Sequence, residues 1–78
     1  MIFTQHAKIE AIPRPGRGGT IEILTEDVQT AKELVQETVE AVGFDGMYVG
    51  WINNPGIKRF QMYGVAGIEL RVTPWSAL

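Results

Sequence analysis

The residues with chemistry to offer are few, and the most conspicuous are the two arginines of a glycine-rich run, Arg14 to Gly19, "RPGRGG". Successive backbone amides in such a run can wrap a phosphate, and a guanidinium grips phosphate or carboxylate through paired N–H donors. Phosphate loops of this kind lead into a helix N-terminus and carry a complete GK[ST] or GxGxxG pattern. Here a strand-like segment follows and neither pattern is completed. The run therefore reads first as a hairpin loop with solvated arginines, and second as an anion contact through Arg14 and Arg17. Lys58 and Arg59 form another basic point directly after the "NNPG" turn, and if both loops leave the same end of a sheet the four cations converge on one small anionic ligand.

The other reactive side chains do not assemble into a site. His6 is the lone histidine and there is no cysteine, which removes disulfides, thiolate chemistry and cysteine-based zinc sites, and no calcium-loop pattern appears. Neither a metal nor a cofactor is expected. Glu33 and Glu37 lie one turn apart on a helical pattern, where exposed carboxylates lack the surroundings that acid–base work needs. They read as a solvated face, with a docking surface for a basic partner as the rival. Without a nucleophile–base pair, catalytic residues are not assigned and the chain is not read as an enzyme.

The elements that must position these residues follow from periodicity. From Ile2 to Ile12 the pattern alternates, with Phe3, Ala7, Ile9 and Ala11 on one face and Thr4, His6, Lys8 and Glu10 on the other. Prolines and glycines interrupt it at 13–19, and "TIEILT" resumes it with Ile21 and Ile23 inward, which predicts a hairpin with a long loop. Val28, Ala31, Leu34, Val35, Val39 and Val42 recur at spacings of three and four, the mark of an amphipathic helix, with Thr25 as its N-cap and Gly43 as its left-handed C-cap. "FDG" turns the chain back. Alternation returns in "MYVGWI", "KRFQMYG" and "GIELRVT", with "GVAG" either a turn or a bulge in one long bent strand.

The order β-β-α-β-β-β predicts a two-layer α+β domain over 1–78, an antiparallel sheet of four to five strands with one amphipathic helix on one face. A chain of 78 residues has room for one small core. An enclosed cavity of about 300 Å³ would cost about 7 kcal/mol, most of the stability such a domain has, so any ligand site belongs in a surface groove or between subunits. A net charge of −2 argues against general affinity for nucleic acid, and no apolar run reaches membrane-spanning length. "MIFTQHAK" lacks the pattern of a secretory signal, which makes a cytoplasmic location the expectation.

The uncovered sheet face is the informative surface. Lys8, Tyr48, Tyr63 and Arg71, with His6, are its interface candidates, and Trp75 either folds back onto the core or inserts into a neighbouring chain. Glu10, Glu22 and Glu69 on the same face would repel phosphates, so protein contact ranks above RNA. The sequence reads as a non-enzymatic interaction module that forms a homo-oligomer or docks on a protein, regulating or inhibiting by occlusion. A binder of a phosphorylated or carboxylated small molecule at a subunit interface is the alternative.

Overall fold

Two strands too long to run straight determine the architecture. In the computed structural model, which describes residues 1–43, 48–52 and 58–77, with the backbone alone for 48–52 and 58–64, the elements are β1 (Ile2–Phe3), β2 (Ala7–Ile23), α1 (Val28–Val42), β3 (Tyr48–Ile52), β4 (Lys58–Pro74) and a 3₁₀ turn (Trp75–Ala77). A strand of 17 residues, the length of both β2 and β4, would extend about 56 Å at about 3.3 Å per residue. The longest dimension of the molecule is 31 Å. Both strands must therefore bend, and the pairing shows how.

Along their length β2 and β4 form an antiparallel ribbon in which Ile9 faces Val72 and Ala11 faces Leu70 at one end, and Ile21 faces Phe60 and Ile23 faces Lys58 at the other. The same β2 residues have a second partner: Ile21 also faces Leu70, Glu22 faces Arg71 and Ile23 faces Val72, numbers that rise together and so define a parallel contact. Leu24 N–H donates to Val72 C=O at 3.0 Å on that side. The ribbon is thus doubled back on itself, and the second half of β4 lies between the two halves of β2. The ladder loses its regularity between Pro13 and Gly18, and Gly16 and Gly67 hold φ of 78° and 76°. Only glycine enters that left-handed region without penalty, so each strand turns at its own glycine.

This geometry corrects the hairpin reading. Residues 2–12 and 20–25 do not pair with each other, because 68–74 separates them, and 13–18 is the bend of a continuous strand rather than a loop between two. "GVAG" likewise lies inside the continuous β4. The molecule is a small α+β domain with one helix and three antiparallel strands, β2, β4 and β3, plus the two-residue β1 along the β2 margin. The four to five separate strands expected from the sequence are not confirmed, since two pairs of them are fused.

One face of the doubled ribbon carries the core. Ile9, Ile21, Ile23, Leu70 and Val72 are buried against Ala31 and Leu34 of α1, with Val35, Val39 and Val42 packed at the margin. Each such aliphatic side chain contributes about 1.5–3 kcal/mol by leaving water. Thr38 is buried with them, its hydroxyl satisfied by donating to Leu34 C=O at 2.6 Å. Val28, expected inside, is exposed at the first turn. The N-cap is Asp27, not Thr25: the Asp27 carboxylate accepts from Thr30 N–H at 2.9 Å, whereas the Thr25 hydroxyl accepts from Asp27 N–H one step earlier. Gly43 closes the helix in the left-handed conformation, its N–H donating to Val39 C=O at 3.0 Å. The "FDG" and "NNPG" turns lie outside the described residues.

Candidate interaction surfaces

The sheet face turned away from α1 is ordered by charge. Register aligns Glu10, Arg71, Glu22 and Arg59 in one row across the doubled ribbon, alternating in sign, and Ile52 of β3 ends the row. Neighbouring strands sit about 4.8 Å apart, so Glu10, Arg71 and Glu22 bring opposite charges side by side. Glu22 is only 7% exposed, and its strand neighbour in register is Arg71. Beside that row Glu69 accepts from Arg71 Nη2 at 3.3 Å and forms an ion pair with Arg14 Nη2 at 3.5 Å. Arg71 Nε is buried without a hydrogen bond among the described residues, while its Nη2 is held by Glu69. Lys8 pairs with Glu10 two residues along the same strand at 3.4 Å. Lys8, Glu10, Glu69 and Arg71 therefore do share the face that alternation assigned to them. Tyr48 and Tyr63 are register partners at the β3–β4 end of the sheet, and their side chains lie outside the described residues.

The arginine run forms a smaller feature. Arg14, Arg17, Gly18, Thr20 and Glu69 line a recess of about 160 Å³ at the bend. Arg14 is tied to Glu69, so an anion there would compete with a carboxylate already in place. Backbone register sets Lys58 and Arg59 opposite Ile23 and Glu22, about 10 to 13 Å along the strand from Gly19 at about 3.3 Å per residue. Their side chains lie outside the described residues.

His6 and Trp75 belong to a different place. His6 precedes β2 in a turn, and its Nδ1 donates to Glu37 Oε1 of α1 at 2.9 Å, so it lies on the helix side and not on the uncovered face. Thr4 makes the same crossing: its hydroxyl donates to Glu37 Oε2 at 3.0 Å and accepts from Ala7 N–H at 3.1 Å. Strict alternation fails for both because the turn at 4–6 interrupts the strand between β1 and β2. Trp75 folds back, donating Nε1–H to Thr4 C=O at 3.0 Å and stacking on Phe3 with ring centroids 5.8 Å apart. Its backbone N–H donates to His6 C=O at 3.0 Å. It nevertheless stays 39% exposed.

Between this strap and α1 runs a groove of about 570 Å³, with Leu34, Pro74 and Trp75 among its apolar lining and His6, Glu33, Glu37 and Glu40 among its polar lining. Thr4 is not among the interface candidates offered by the sequence, whereas Glu37 belongs to the acidic helix face read there as solvated or as a docking surface. Their bond spans 33 positions, and no local pattern signals it.

Among the described residues no group of three or more histidine, aspartate or glutamate side chains is placed to hold a metal ion. No helix among them is long and apolar enough to cross a membrane. Comparisons with protein families, with characterised proteins and with solved structures return no match to this chain.

Proposed function

We propose that the protein is a non-enzymatic interaction module that associates with a second copy of itself along β3. The observation that supports this is the composition of that strand, Tyr48–Ile52, "YVGWI", which contains no charged residue and which among the described residues pairs only with β4. Strands at the margin of a sheet present unpaired amide and carbonyl groups, and monomeric proteins protect them with charges, prolines or bulges. β3 has none of these. The opposite margin is protected by brevity, since β1 is two residues long. Two antiparallel copies of β3 meeting about Gly50 would continue the sheet and set Tyr48 of each copy opposite Ile52 of the other in register. Five residues of edge pairing make a small interface, so the association is concentration-dependent.

Light scattering after size-exclusion chromatography over a dilution series tests it. A dimer that dissociates on dilution, and that Tyr48→Lys or Ile52→Lys renders monomeric with unchanged far-UV circular dichroism, supports the reading. A strict monomer at millimolar protein rejects it.

The recess at Arg14 and Arg17 favours one other reading, a site for a phosphorylated or carboxylated small molecule. Ligand at about 100 times its Kd would add about 2.7 kcal/mol to stability. A thermal-shift gain with a phosphate or nucleotide that disappears in Arg14→Ala/Arg17→Ala supports that reading, and a gain that survives the double substitution removes it.

A further inference from the structure

Among the described residues, those lining the groove between α1 and the Trp75 strap come from α1 and the two chain ends, not from the strand used in the association proposed above. Its apolar wall contains Leu34 and Pro74, and the tryptophan beside them is held by three contacts: the Phe3 stack, the Nε1–H bond to Thr4 and the backbone bond to His6. An indole fixed in this way and still 39% exposed is a preformed surface, presented with little entropy left to lose.

The polar lining is one-sided. Glu33, Glu37 and Glu40 contribute carboxylates, and among the described residues no lysine or arginine lines the groove. Among the described residues, these carboxylates accept hydrogen bonds from Gln29 Nε2 to Glu33 at 3.3 Å, from Gln36 Nε2 to Glu40 at 2.9 Å, and from Thr4 and His6 to Glu37. An apolar cavity with an aromatic wall and an acidic rim is complementary to a long side chain with an apolar stem and a cationic head. We propose that this groove docks an arginine- or lysine-bearing segment of a partner protein. The stem lies along Leu34 and Trp75, and the head pairs with Glu33 or Glu40. Glu37, engaged by Thr4 and His6, holds the wall in place.

Fluorescence polarisation with fluorescein-labelled hexa-arginine, with a labelled Gly-Ser hexamer as comparator, reads the docking directly. Saturable binding of the basic peptide alone is expected. Glu40→Gln or Glu33→Gln, each isosteric and on the exposed side of the helix, should raise its Kd about three- to tenfold, and Trp75→Phe by a similar factor. Glu26→Gln, which removes the same charge outside the groove, should leave Kd nearly unchanged. Amide and indole NMR shifts should cluster at Gln5, His6 and Trp75. Equal weakening by Glu26→Gln and Glu40→Gln would mean diffuse attraction to an acidic protein, and would overturn the proposal. So would the absence of binding. So would a dimer that binds no peptide, is dissolved by Arg14→Gln/Arg17→Gln and then binds peptide as a monomer, because the occupant would then be the arginine bend of a second copy.

Discussion

Gly16 and Gly67 hold φ of 78° and 76°, and a Cβ added at either meets nothing within 4 Å, so the cost of a side chain there is conformational alone. An L-residue in that region is disfavoured by about 1–2 kcal/mol. Gly67→Ala should therefore lower Tm by several degrees, on the usual scale of about 4–8 °C per kcal/mol for a domain of this size. Gly18 lies in equally open space without a positive φ, so Gly18→Ala should leave Tm unchanged or raise it slightly by restricting the unfolded chain. Differential scanning calorimetry of the two variants separates a required bend from a permissive glycine. Asp27 supplies a pH signature at the same scale. The Thr30 hydroxyl, then the Thr30 amide, hold its carboxyl below the usual aspartate value. A depressed folded value contributes stability that is present above the unfolded value of about 3.9 and is lost as pH falls through the folded one. The Tm gap between the wild type and Asp27→Ala should thus be open at neutral pH and narrow in acid, and Thr30→Val should reproduce part of it.

At the scale of elements, the doubled ribbon concentrates its interactions in the second half of β4, the one segment flanked by both halves of β2. Arg71 sits there between Glu10 and Glu22 and donates to Glu69. Its side chain is 38% exposed, which moderates the cost of losing it, and Arg71→Met should destabilise by about 2 kcal/mol. Urea denaturation would register this as a lower midpoint with an unchanged slope. Ile21 is fully buried and faces both Phe60 and Leu70. Ile21→Ala, which opens a cavity where two halves of the sheet meet, should cost about 3 kcal/mol. The strap is a separate unit: Trp75→Ala removes the Phe3 stack and the bond to Thr4, and should cost about 2 kcal/mol. A smaller Trp75 effect with an intact groove would mean that the N-terminal turn is held by Glu37 alone.

Across the whole molecule, local chemistry was legible and long-range pairing was not. Sequence by itself determined the helix, because Ala31, Leu34, Val35, Val39 and Val42 can share a face only at helical period, and Gly43 tolerates the left-handed cap. It also determined that Ile9, Ile21, Leu70 and Val72 face the core and alternate with Glu10, Glu22, Glu69 and Arg71, although Phe3 and Ala11, on the same face by alternation, are exposed. Tertiary structure alone decided that "RPGRGG" is a bend within one strand: proline and glycine break periodicity in the same way whether the chain reverses or only turns a corner. It alone brought His6 and Thr4 to Glu37, a contact between positions more than 30 apart, and so created a groove that no run of neighbouring residues encodes. The physical reason is common to both cases. Alternation reports which side of a strand a residue occupies, whereas the neighbouring strand is chosen by the burial available to the folded ribbon as a whole.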